Sequence, residues 1–241
     1  MSGDSTQPNS PFASRGFIAA AIVIGVILLA GVIVLVTSLT APHDPVAKPT
    51  FSPSGPVASG DDKSVCGLPG FETESNLTAA SDRKWELVGT VAAPTDPKVG
   101  PGKIDSDGFR SCYAHTPEGA LFAAVNYVAL ASDSRNIPKL PDLIAPDKGK
   151  DAALAQSTDA PTPSTTRLQV AGFKINSYNG SDATVDVVWA VTSQGNALVS
   201  FPTVLRWTGG DWKIVLNDDG QPPYGGSQLQ SLGGYSPWAG V

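Results

Sequence analysis

The sequence predicts an α+β fold carried on a membrane anchor. It comprises an N-terminal transmembrane helix, a Pro-rich linker, and then helices packed on a curved, cone-like antiparallel sheet of four strands or more. Three observations predict it. Residues 17–39 hold no charged side chain. One strongly capped helix pattern starts at Thr116. From Thr165 onward apolar residues alternate with period two between short turn signals, the signature of half-buried strands.

Residues 1–15 are small and polar and read as a disordered cytoplasmic tail. The transmembrane helix is placed at residues 16–39, with membrane contact over 17–39. About 20 apolar residues at roughly 1.5 Å each cross the hydrocarbon core, and a helix is the way for one segment to satisfy its own backbone there. A cleaved signal peptide fits less well. Its apolar region runs about 7–15 residues, and Leu39-Thr40-Ala41 is a poor cleavage match. Arg15 stands directly before the span and the first basic residue beyond it is Lys48, so positive-inside bias places the tail inside and the domain outside.

Residues 40–65 are rich in Pro, Ser and Gly and read as a semi-rigid spacer. Residues 66–241 then suffice for one extracytoplasmic core. Up to Cys112 this domain is mostly loop punctuated by Gly and Pro, with one short strand expected in Lys84–Pro94. The helix that follows has Thr116 as N-cap, Pro117 at its first position and Glu118 at its positive end. Leu121, Ala124, Val125, Val128 and Ala131 share one face. A weaker helical region covers about 139–157, broken at Pro146 and Gly149.

Four strands follow. The first ends at Asn179-Gly180, a two-residue hairpin signal. The second puts Val185, Val187, Trp189 and Val191 on one face, with Asp186 on the other. The third alternates Val199, Phe201, Thr203, Leu205 and Trp207; Gly209-Gly210 turns the chain into Trp212, Ile214 and Leu216. The C-terminal stretch is Gly- and Ser-rich, yet Tyr224, Leu229, Leu232, Tyr235 and Trp238 recur along it. Such aromatics dock either on their own domain, covering an open edge, or on a partner, where Tyr and Trp carry much of the energy. Tyr224, Tyr235 and Trp238 are the candidate interaction residues.

Formal net charge is −6 with pI ≈ 4.8, and no basic stripe with interleaved aromatics occurs, which argues against direct nucleic-acid binding. Cys112 and His115, three residues apart at a helix start, raise the question of a nucleophile and its base. Two cysteines in an exported domain favour a Cys66–Cys112 bridge instead. Closing that loop contributes roughly 4 kcal/mol in the chain-entropy model, and His115 then packs over the helix start. Two cysteines and two histidines, scattered, make no zinc site. The carboxylates of Asp105-Ser-Asp107-Gly lack the acidic residue an EF-hand needs and read as a solvated loop. No nucleophile elbow, phosphate-cradling loop or dinucleotide fingerprint is present. Neither metal nor cofactor is predicted.

The run VLRWTGGDWKIV, behind a capped helix and within an antiparallel meander, resembles the nuclear-transport-factor-like cone fold. More closely, WELVGTVAAPTDPKVGP, YAHTPEGALFAAVNYVA and SLGGYSPWAGV resemble single-pass membrane proteins of Gram-positive actinobacteria. These are similar in layout to assembly factors of conjugative, type IV-like secretion channels. The resemblance covers about residues 85–241. It implies a non-enzymatic scaffold that binds other membrane or secretion-channel proteins or copies of itself. The alternative is a ligand-binding or enzymatic cone-fold domain, since some relatives of that fold act through an Asp or Tyr inside the cavity. Fold alone does not choose between them. The apolar inner face, with Asp186 and Lys213 on the opposite phase, favours the scaffold.

Overall fold

The computed structural model describes residues 62–81, 83–156 and 166–239. The expected tail, span and most of the linker lie outside these residues. Among the described residues no helix is long and apolar enough to cross a membrane.

Two small hairpins come first. β1 (Lys84–Val88) pairs with β2 (Val91–Thr95), and β3 (Lys103–Ile104) with β4 (Arg110–Ser111). The single short strand expected in 84–94 is thus a hairpin, folded at Gly89-Thr90. Helix α1 (Pro117–Ala131) starts as its sequence dictates: the Thr116 hydroxyl accepts from Gly119 N–H at 3.0 Å. At its far end the Ser132 hydroxyl donates to Ala129 O at 2.7 Å and accepts from Thr90 N–H at 3.0 Å, fastening the helix to the turn between β1 and β2.

The expected single apolar face of α1 is too narrow. Ala120, Phe122 and Ala123 are buried along with Leu121, Ala124 and Val125, because α1 contacts β2 as well as the large sheet. Asn126, fully buried, donates to Pro94 O at 3.1 Å and so ties α1 to β2. A 3-10 turn (Ile137–Leu143) and helix α2 (Lys148–Gln156) occupy the region read as one broken helix. Gly149 lies inside α2, where its missing Cβ admits the carbonyl of Leu216.

The main sheet is antiparallel, open and six-stranded. β5 (Leu168–Tyr178), β6 (Asp182–Val191), β7 (Ala197–Thr208) and β8 (Asp211–Ile214) follow one another as a meander. β9 (Ser227–Leu229) and β10 (Ser236–Pro237) are added from the C-terminal segment. Register shifts after Val170 and Ile175 mark two bulges in β5, which bend a strand and increase its twist. The hairpin between β5 and β6 centres on Gly180-Ser181, one residue beyond the expected pair; Asn179 N–H donates to Asp182 O across it. Gly209 and Gly210 both have positive φ (63° and 76°), as a two-residue turn matching strand twist requires.

The inner face carries Val185, Val187, Trp189, Phe201, Leu205 and Trp212, all buried against α1 and its neighbours. The outer face departs from expectation. Asp186 and Val188, on the phase opposite the core, are buried as well. The C-terminal segment covers them. It pairs with Leu198–Ser200 on the β7 edge and passes over β6, where Tyr235 Oη donates to Asp186 Oδ2 at 2.8 Å. It then pairs with Gly172–Phe173 on the β5 edge.

Candidate functional site

The chemistry-bearing residues singled out in the sequence meet where the N-terminal segment, the start of α1 and the β7–β8 turn converge. Cys66 Sγ and Cys112 Sγ lie 2.06 Å apart, at bonding distance. Cys112 is buried and adopts φ 68°, a left-handed conformation uncommon outside glycine. Its backbone is held by Asp211, a buried side chain that the sequence did not single out. Asp211 accepts from the N–H groups of Cys112 (3.1 Å), Tyr113 (2.9 Å) and Trp212 (2.9 Å), and from Lys213 Nζ at 3.2 Å. The only hint of it is its place directly after Gly209-Gly210, in the turn that carries the fold resemblance.

His115 is buried and fully engaged. Nδ1 lies 2.8 Å from Asp62 O and Nε2 is bonded to Gly180 O. Its ring stacks on Trp207 at 3.8 Å between centroids and meets Phe71 at 4.9 Å. Trp212 closes the cluster, its Nε1 donating to Ala114 O at 3.0 Å. Both imidazole nitrogens being bonded to main-chain carbonyls, His115 is not presented as a base to a cysteine. Thr116, Pro117 and Glu118 begin α1 beside it; the Glu118 carboxylate accepts from Ser81 Oγ at 2.7 Å and from Ser81 N–H.

A cavity of about 370 Å³ opens beside this junction, lined by Pro69, Glu72, Leu77, Val99, Pro117 and Glu118 among others. Partial desolvation, and then the charge of Glu118, hold the Glu72 carboxyl above its ordinary range. Among the described residues no group of three or more His, Cys, Asp and Glu is placed to hold a metal ion. In the Asp105–Gly108 loop, Lys139 is bonded to Asp107, and that bond draws the Asp107 carboxyl below its usual range.

The three candidate interaction residues are not brought together as one surface. Tyr224 is exposed. Tyr235 is half-buried and bonded to Asp186. Trp238, 7% exposed, is spent on its own domain rather than offered to a partner. Its ring packs against Trp85 (4.9 Å), Phe173 (5.5 Å) and Phe122 (5.9 Å), with the Arg83 guanidinium 5.1 Å over it.

No curated protein and no solved structure matches the chain. A family model does match, over residues 46–237, and by that match the chain belongs to the family described as domain of unknown function DUF8175.

Proposed function

We propose that this chain is a membrane-anchored, non-catalytic interaction protein whose domain stands outside the membrane and scaffolds an envelope-spanning complex. One observation carries the reading: the side chains capable of chemistry at the head of α1 are committed to holding the fold. Cys66 and Cys112 are joined, His115 uses both nitrogens, and Asp211 accepts four hydrogen bonds. The inner sheet face, where a cone-like relative would keep an acid or base, is filled by buried apolar side chains. The apolar run at 17–39 and Arg15 supply the anchor and its orientation, and the linker sets the domain off from the bilayer. The resemblance of residues 85–241 to conjugative secretion assembly factors supports a place among the proteins of such a channel.

Crosslinking in native membranes tests this. A scaffold is trapped through its outer domain with copies of itself or with other membrane proteins. A purified protein that stays monomeric and captures no membrane protein overturns the reading. The cavity beside Glu72 and Glu118 favours one alternative, a domain that binds a small molecule. Native mass spectrometry distinguishes it by a retained non-protein mass that Glu72→Gln abolishes.

A further inference from the structure

We propose that Cys66–Cys112 is a thiol–disulfide exchange site, attacked at Cys66 by a dithiol, with Cys112 leaving as the stabilised thiolate. This goes beyond the scaffold reading, giving the bridge that there holds the fold a second, redox role. The two sulfurs are built differently. Cys66 belongs to an exposed residue of the N-terminal segment, whereas Cys112 is 2% exposed. Cys112 is also fixed to the body of the domain through Asp211. Two donors converge on the buried sulfur: Cys66 N–H at 3.1 Å and the hydroxyl of Ser64, itself buried, which lies 3.0 Å from Cys112 Sγ and farther, 3.5 Å, from Cys66 Sγ. A disulfide sulfur carries no proton, so at Cys112 both groups can only donate. Such donors strengthen toward a charged acceptor, and a stabilised leaving thiolate accelerates exchange. The Asp211 carboxylate stands behind the Cys112 backbone, its charge partnered by Lys213.

In the first step one thiolate of the dithiol attacks Cys66 Sγ. A bond forms between the reductant and Cys66, the Cys66–Cys112 bond breaks, and its electron pair leaves on Cys112. The second thiolate of the reductant then attacks the reductant's own sulfur in the mixed disulfide, expelling Cys66 as a thiolate that takes up a proton. The dithiol is oxidised to a disulfide by two electrons and the cystine is reduced by the same two. Once the bond is broken, residues 62–72 keep their hydrogen bonds to Gly210 O, to the backbone and ring of His115 and from Tyr178 Oη to Glu72 O, with the Phe71 ring against His115, and lose their one covalent cross-link to the body of the domain. Reduction therefore loosens the segment that joins linker to domain and uncovers the His115 ring.

The test uses the full chain in detergent micelles without denaturant. Glutathione, followed by alkylation and peptide mapping, should place the mixed disulfide on Cys66 and the alkyl group on Cys112. Dithiothreitol should reduce Ser64→Ala about tenfold more slowly than the parent, with the unfolding midpoint of the oxidised protein unchanged. In the reduced protein, hydrogen exchange should rise at least tenfold across 62–72 while β5–β7 stay protected. A glutathione adduct on Cys112, reduction only at the rate at which the sheet unfolds, or an unaltered rate in Ser64→Ala each overturns the proposal.

Discussion

A methyl group added at Gly119 would sit 1.9 Å from the carbonyl oxygen of Ala114, a backbone atom with nowhere to go. Alanine normally stabilises a helix interior over glycine by about 1 kcal/mol. Here Gly119→Ala should instead cost about 1–3 kcal/mol through overpacking, read as a lower urea midpoint. Trp189, buried among β-branched neighbours, should lose about 3–5 kcal/mol on truncation to alanine. Trp207 is half-buried, stacked on His115 and edge-on to Trp212 at 5.4 Å, so Trp207→Ala should lose roughly 1–2 kcal/mol. Equal melting temperatures in parent and both variants would refute these placements. Burial lifts the Asp186 carboxyl above its ordinary range, against the opposing bonds from Tyr235 and Ser200. Lys174 lies across from it on β5. A carboxyl whose folded value is raised contributes stability that is fully present below the unfolded value of about 3.9 and is lost as pH rises through the folded value. Asp186→Asn should therefore be at least as stable as the parent at pH 7, with any advantage shrinking toward pH 4. A variant less stable at pH 7 than at pH 4, relative to the parent, reverses the sign and sinks the assignment.

The strands long enough to show a period were legible, and so was the capped helix. β6 and β7 alternate through ten and twelve residues, and Thr116-Pro117-Glu118 names its own role. β9 and β10 are three and two residues long, too short for any periodicity, and they form only because long neighbours offer free edges. That is why the aromatics of the C-terminal segment read ambiguously as partner contacts. Asp211 was illegible for another reason: its hydrogen-bond donors at Cys112 and Tyr113 lie about a hundred residues away, and nothing local marks the burial. The same blindness applied to Asp186, outward by phase yet covered by a segment fifty residues downstream. Since that segment closes two edges and one face at once, deleting residues 222–241 should unfold or aggregate the domain. Trp238→Ala alone should cost about 3–5 kcal/mol. A truncated domain with an unchanged melting temperature would show that the segment is dispensable to the fold and free to serve a partner.

At the scale of the whole chain, the sequence is mildly acidic and the domain's start is pinned at the convergence of Asp62, Cys66, His115 and Gly210. The expected topology puts that point toward the membrane. Protease added to intact protoplasts should then remove the domain while sparing residues 1–39. Protection of the domain, or a mature N-terminus near residue 41, would overturn the topology. The covered sheet also has a consequence in time. Synthesis delivers a chain from its N-terminus, so β5 to β8 emerge before residues 227–238 do. During that interval the strands lie together with both margins bare, and bare margins recruit other chains. A nascent domain stalled there is the species a chaperone must guard. The yield of folded protein should accordingly follow the rate at which the final strap arrives, more than the intrinsic stability of the finished sheet.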